Sequence, residues 1–411
     1  MVTELETVPP PARCDVAVVG AGILGLAVAR ELQRRDPRLH VAVLEREARV
    51  GAHQTGHNSG VIHSGVYYAP GSLKARMCVA GAAAMYDFCE ERGIAYRRSG
   101  KLIVATSPRE RPRLDELERR GHANGVPGLR RLDGPQIAEL EPAFTGVAAL
   151  HCPSTGVVDF SAVALALAAD ALERGATLSL GCEITAADGD RSGVTLRHRH
   201  GVVQARRAVL CAGAWSDRLA VAAGAPADPR IVPFRGAYFD LGPEQAARVR
   251  ALVYPVPDPA LPFLGIHFTR TVDDHVHVGP TALMVGARDA YRLTRLVARD
   301  LRDTLRWPGT WRMIARFWRT GMTELSHAVS RQAVARAASA YLPGITADDL
   351  TRGGAGVRAQ ALARDGALVD DFVVSRTESA LHLRNAPSPA ATSSLALADL
   401  IVDRCARELD L

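Results

Sequence analysis

Cys14-Asp-Val-Ala-Val-Val-Gly20-Ala-Gly22-Ile-Leu-Gly25 runs a short apolar strand straight into Gly-x-Gly-x-x-Gly, and a second strand, His40-Val-Ala-Val-Leu44, ends on Glu45. Each part has a physical reason. Gly20 permits the tight turn, Gly22 lets the backbone approach a pyrophosphate, and Gly25 lets the following helix pack on the strand. The helix N-terminus offers free N–H groups and the positive end of its dipole to phosphates, and Glu45 accepts from a ribose hydroxyl. A bare glycine triplet recurs by chance in plain strand–helix turns. The strand, helix, second strand and terminal acid in register make this a dinucleotide-binding start. The motif alone does not separate FAD from NAD.

Working outward, 411 residues suffice for two or three domains or one elaborated two-domain enzyme. With 47% hydrophobic and 23% charged residues, a large core is expected and bulk disorder is not. The net charge of +6 is modest and no long basic run occurs, so nucleic acid is not an expected partner; anionic substrates or an anionic membrane face suit it better. The seven cysteines stand apart, with no CxxC pair, and read as reduced thiols of a cytoplasmic protein. Residues 1–12 read as a flexible leader, Met1 to Pro11 lacks the apolar stretch of a signal peptide, and no run of eighteen apolar residues would span a membrane.

The stretch after Glu45 is rich in Gly, His, Asn, Ser and Tyr and is too long for an idle connection, which marks a functional loop. Its histidines match no zinc spacing, so no metal is expected. A helix is expected over 73–91, a strand at 100–105, a charged helix at 108–124, an alanine-rich helix at 161–174, a strand at 176–182, a polar hairpin over 193–207 and a separate buried strand from Ala208. Alternating strands follow at 263–268 and 275–279, then helices over 290–340 and a final apolar helix to about 407.

Several blocks together carry a resemblance. They are His57-Asn-Ser-Gly-Val-Ile-His63-Ser-Gly, Tyr67-Tyr68, Gly71-Ser-Leu-Lys74, Gly100-Lys-Leu, Gly213-Ala-Trp-Ser-Asp217, Pro233-Phe-Arg235-Gly236, Tyr254-Pro-Val-Pro-Asp-Pro, Phe263-Leu-Gly-x-His267-Phe-Thr-Arg270, Gly356-Val-Arg-Ala-Gln360 and Asn385-Ala-Pro-Ser-Pro-Ala-Ala-Thr-Ser-Ser394. From about 13 to 405 the chain resembles the L-2-hydroxyglutarate oxidase/dehydrogenase family of D-amino-acid-oxidase-like flavoproteins. The resemblance implies an α/β fold: a Rossmann-like FAD-binding domain (13–90, 150–228 and 345–411) with a discontinuous α+β substrate domain (91–149 and 229–344) built on an antiparallel sheet. It implies FAD and oxidation of L-2-hydroxyglutarate to 2-oxoglutarate, with oxygen or a quinone as electron acceptor. The FAD-binding residues it implies are Gly20, Gly22, Ile23, Leu24, Gly25, Glu45, Arg46, Thr55, His57, Asn58, Ser59, Gly60, Glu183, Ile184, Ala212, Gly213, Trp215, Gly356, Val357, Arg358, Pro389, Ala390, Ala391 and Thr392. Two places depart from the family pattern: Ala237 stands where an acid is expected, and the Gly279-Pro-Thr segment is looser. Both fall in the substrate domain.

The chemistry needs a base for the hydroxyl proton and cations for an anionic 2-hydroxy acid. His63, close behind the cofactor motif, is the first candidate base, and His267, on a strand of the substrate sheet, is the second; the bland reading of each is a structural or core histidine. Arg235, Arg358 and Lys74 stand in the specific blocks and are the candidate cations, with Tyr67, Tyr68 and Tyr254 as hydroxyl donors. Ser388–Thr392 reads as a helix N-terminus aimed at the flavin. Residues 310–325 put Trp311, Ile314, Ala315, Trp318, Met322 and Leu325 on one helical face and Arg312, Arg316 and Arg319 on another. This suits a peripheral contact with the inner face of the plasma membrane, or simply a helix docked on its own protein. Oxidation of another 2-hydroxy acid, oxidation of an amine or amino acid, and a flavin electron-transfer protein without turnover are the competing readings.

Overall fold

The computed structural model describes residues 5–259, 261 and 263–411. The strand Arg13–Val19 sits at the centre of the first sheet, parallel to Val41–Leu44 on one side and to Gly201–Leu210 on the other. Thr177–Ser179 extends the parallel set beyond Val41–Leu44, and Ala380–Asn385 runs parallel to the end of Gly201–Leu210. Beyond Gly201–Leu210 the sheet forks: an antiparallel meander, Gly193–His198 and Ile184–Asp190, continues from the first half of that strand, and Ala380–Asn385 with Val373–Arg376 from its end. Val16–Val19, Val41–Leu44 and Ala208–Leu210, the middle of the parallel set, are apolar at every position because both faces are covered. Val16, Val18, Val41 and Val43 pack under the helices Ile23–Arg35, Leu73–Arg92, Phe160–Glu173 and Ser394–Leu409, whereas Ala17, Val19, Ala42 and Leu44 pack under the meander. Leu26, Val28 and Leu32 are essentially inaccessible, and each such burial contributes roughly 1.5–3 kcal/mol.

The second sheet has nine strands. Arg230–Leu241, Val276–Gly279, His267–Arg270, Leu252–Pro255, Lys101–Ala105, Ala148–Cys152 and Arg130–Asp133 follow one another across it, with Leu283–Met284 beside Arg230–Leu241. Its ladders are antiparallel, as expected, except that Leu252–Pro255 runs parallel to Lys101–Ala105. Phe144 meets Phe268 edge-on in the core beneath, at 5.0 Å between ring centres. A small three-stranded sheet of Val61–Ile62, Gly156–Val158 and Tyr96–Arg97 stands apart from the two large ones.

Four expectations change. The last FAD segment was placed from 345, but Leu350–Leu362 pairs along its length with Arg230–Leu241, from Arg230↔Leu362 to Leu241↔Leu350. The chain rejoins the first sheet only at Val373. A strand pattern states which residues alternate and says nothing of which sheet receives them. The second arm of the polar hairpin and the buried strand from Ala208 are one strand, Gly201–Leu210, whose first half pairs with the meander and whose second half is central. The apolar helix begins at Ser394, so residues 388–393 are a tight turn before it. The amphipathic helix of 310–325 lies in Pro308–Val329, which is broken at Phe317 (φ −117°, ψ 19°).

All seven cysteines are free. Among the described residues no helix is long and apolar enough to cross a membrane and no group of acids, histidines and cysteines is placed to hold a metal.

Candidate active site

The site begins at the glycine turn, where two of the three glycines answer to the protein's own backbone. Gly20 has φ +106°, and a Cβ there would lie 2.4 Å from the Cys211 carbonyl oxygen. At Gly25 a Cβ would lie 1.9 Å from the Gly20 carbonyl oxygen. Gly22 differs: its Cβ would meet only Thr55 Oγ1, at 3.4 Å. Close approach is therefore left open on the side where Gly22, Ile23 and Leu24 face a cavity. The Ile23 N–H donates to Thr55 Oγ1 (3.0 Å). Glu45, buried, accepts from the Ala21 N–H (2.6 Å) and the Glu47 N–H (2.9 Å), so its carboxylate closes the turn as well as lining the cavity.

That cavity, about 840 Å³, is continuous from the glycine turn to the face of the second sheet, near the upper end of the size range for ligand pockets. Of the residues implied to hold FAD, Arg46, Thr55, His57, Asn58, Ser59, Glu183, Ile184, Ala212, Gly213, Trp215, Gly356, Val357, Arg358, Pro389, Ala390 and Ala391 all line it together with the glycine turn. Arg46 lies over the Trp215 ring, 4.2 Å from its centre. Gly60 and Thr392 do not line it. Gly60 turns against the Val158 carbonyl at φ +70°, and Thr392 Oγ1 accepts from the His63 N–H (3.1 Å) and donates to the Val61 carbonyl (3.2 Å). The side chains of His57 and Asn58 are also engaged in building the loop. His57 Nδ1 donates to the His53 carbonyl (2.9 Å) with its ring stacked on Tyr291, and the Asn58 amide donates to the Thr55 carbonyl (2.7 Å). The glycine floor, the helix N-terminus opening on it and the length of the cavity fit FAD.

At the far end the cavity meets His63, Tyr67, Tyr68, Lys74, Tyr254, His267 and Arg358. Burial, then the charges of Lys101, His267 and Lys74, hold His63 well below the usual histidine range. His63 Nε2 is 3.4 Å from Ser388 Oγ. His267 is 5% exposed and stacked on Tyr254 at 3.9 Å. Its Nδ1 donates to the Gly265 carbonyl (2.9 Å), which leaves Nε2 as the acceptor nitrogen, and burial pushes it down to about 3, with Arg358 and Lys101 adding to the shift. Lys74 pairs with Asp370 (2.8 Å) and lies over the Tyr68 ring; Arg358 lies over the Phe263 ring at 5.1 Å. Burial raises the Tyr67, Tyr68 and Tyr254 hydroxyls, which keeps them donors.

Arg235 is the misplaced cation. Gly236 and Tyr238 of the same strand line the cavity, so strand alternation turns Arg235 away, where it donates to the Tyr291 carbonyl (3.2 Å). Tyr238 itself was missed; the period of two on 230–241 was the signal that marks it. The two departures from the family pattern touch each other: the Ala237 N–H donates to Thr281 Oγ1 (3.1 Å). Lys101, Asp370 and Asn385 also went unassigned, although two of them stand inside the quoted blocks.

Comparison with known proteins agrees with this geometry. The family model described as FAD dependent oxidoreductase matches residues 15–404. The mitochondrial L-2-hydroxyglutarate dehydrogenase of Nematostella vectensis is 44% identical, with 98% of this chain and 93% of the relative covered. The L-2-hydroxyglutarate dehydrogenase of Indibacter alkaliphilus is 41% identical over 95% of this chain and 98% of that one. Among solved structures, dithionite-reduced L-α-glycerophosphate oxidase from Mycoplasma pneumoniae with FAD bound superposes with a TM-score of 0.79 at 22% identity, over 97% of this chain and 95% of that one, which is a likeness of fold. FAD is the cofactor, and the chain belongs to the FAD-dependent oxidoreductase family, in its L-2-hydroxyglutarate dehydrogenase branch.

Proposed function

We propose that this protein oxidises L-2-hydroxyglutarate to 2-oxoglutarate. The observation that carries the reading is a single cavity that joins the glycine turn to a pocket holding two neutral imidazoles and the cations Lys74 and Arg358. The names of the relatives supply the substrate. Bound FAD supplies the acceptor for the hydride of the α carbon. The chain's own residues do the rest. Lys74 and Arg358 take the two carboxylates, Arg358 in the planar, forked manner that suits them. His63, less buried than His267, accepts the hydroxyl proton at Nε2. His267, with its tautomer held by Gly265, keeps an unprotonated Nε2 and is the alternative acceptor of that proton. Anaerobic addition of L-2-hydroxyglutarate to the yellow holoprotein is expected to bleach the flavin, whereas sarcosine and amino acids are not. Bleaching by another 2-hydroxy acid or by an amine, with none by L-2-hydroxyglutarate, would sink the reading.

The electron acceptor in this reading is a quinone, reached at a bilayer. Nine of the twelve large apolar side chains exposed among the described residues fall in 293–329, with Trp311 at 56%, Trp318 at 52% and Met322 at 63%. Exposed Arg302, Arg306, Arg312, Arg316 and Arg319 flank them, which matches an anionic lipid surface. Sedimentation with anionic liposomes is expected for the wild type and lost in Trp311→Glu/Trp318→Glu; equal, negligible pelleting of both rejects the contact.

A further inference from the structure

Behind the wall of the substrate pocket stands a charge that the reaction as described does not use. Lys101 opens the strand Lys101–Ala105 and is fully buried, at 0% exposure. Among the described residues its Nζ has no hydrogen-bond partner and no carboxylate pairs with it. Its Nζ lies 4.5 Å from the centre of the Tyr67 ring and 5.1 Å from that of Tyr254. Both rings line the cavity, whereas Lys101 itself is not among the lining residues and touches it through them. Burial without a counter-ion disfavours the charged form and lowers the Lys101 ammonium below the usual lysine range, and the contacts with two aromatic faces offset only part of that cost. A methionine of similar length would fill the same space without that cost.

We propose that Lys101 is a positioning residue of this site: its uncompensated ammonium holds the Tyr67 and Tyr254 rings against the cavity and supplies, through them, a positive field that draws the anionic substrate. The proposal rests on the reading that the substrate is a dianion. The groups that share this field are known. Lys101 and Lys74 act on His63; Lys101 and Arg358 act on His267; the thiols of Cys78 and Cys152, which remain neutral, adjoin Lys101. Each cation makes it harder to protonate the two imidazoles, so removing Lys101 moves their protonation to higher pH.

The test uses the FAD-loaded Lys101→Met protein. It is expected to remain yellow, to raise KM for L-2-hydroxyglutarate tenfold or more, to weaken flavin-monitored binding of glutarate (a dianion that cannot react) by a similar factor, and to move the acid limb of kcat/KM up by half a pH unit or more. A lysine that only fills space would leave the acid limb and the glutarate affinity unchanged in the yellow variant, and that result overturns the proposal. Lys101→Gln carries the same test if the methionine variant does not retain FAD. A wild type that binds glutarate without being bleached by L-2-hydroxyglutarate counts against the substrate reading alone. Equal glutarate affinity in wild type and variant, including none in either, counts against Lys101.

Discussion

The two ends of the cavity are built on opposite terms. At the glycine turn the loop is tied down by the protein itself: Ala21 and Glu47 donate to Glu45, Ile23 donates to Thr55, and Gly20 and Gly25 are pressed against backbone carbonyls. At the substrate end, His63 Nδ1, the Tyr67 hydroxyl and Lys101 Nζ are buried without a hydrogen-bond partner among the described residues. The first end gains precision from local geometry and is indifferent to which flavoenzyme it serves. The second holds groups whose cost is recovered only when a charged ligand arrives, which is where discrimination between substrates resides.

The largest effect is expected at the glycine turn. Gly25→Ala places a Cβ 1.9 Å from the Gly20 carbonyl, so the strand and helix must separate. A loss of about 3 kcal/mol or more and a colourless protein are expected by calorimetry and absorbance. Gly22→Ala, with only Thr55 Oγ1 at 3.4 Å, is expected to fold normally and to show its effect in FAD affinity alone. Equal damage from the two would mean that Gly22 is as tightly packed as Gly25. Next in size, His63→Asn is expected to lower kcat by about 10²–10⁴ while the protein stays yellow. Both histidines are held below the ordinary range, so in the free enzyme they are neutral at pH 7 and gain a proton only as pH falls through their lowered values. The acid limb of kcat/KM is therefore expected below pH 6.5. An acid limb above that pH would mean that neither imidazole is the base in its observed surroundings. The smallest effect separates the arginines: Arg358→Met is expected to raise KM for L-2-hydroxyglutarate about tenfold or more, and Arg235→Met, whose side chain is tied to Tyr291, less than threefold. The reverse order would place substrate on the other face of the strand 230–241.

Much of the fold was readable because it is local. The βαβ start, the helix at 73–92 and the strand at 101–105 each announce themselves within a dozen residues. What failed was non-local pairing. Nothing in Thr351-Arg-Gly-Gly-Ala-Gly-Val says that it lies beside Arg235, Gly236 and Asp240 instead of the first sheet. The site followed the same division. Most of the residues named from the family blocks line the cavity, although many other lining residues were not named. The blocks could not tell which side of a strand a residue occupies, so Arg235 was included and Tyr238 was not. Thr392 belongs to the block and serves it indirectly, by tying the His63 backbone to the turn before the last helix.

By itself the sequence determined that this chain binds a dinucleotide at its N-terminal turn, since strand, glycines, helix and Glu45 are consecutive and their geometry follows from sterics at each position. Only the tertiary structure decided what gathers at the far end of the cavity and behind it. His63, Lys101, Tyr254, His267 and Arg358 come from separate elements, and their protonation depends on burial and on one another's charge. Both are set by packing across the chain, which no single stretch of it contains.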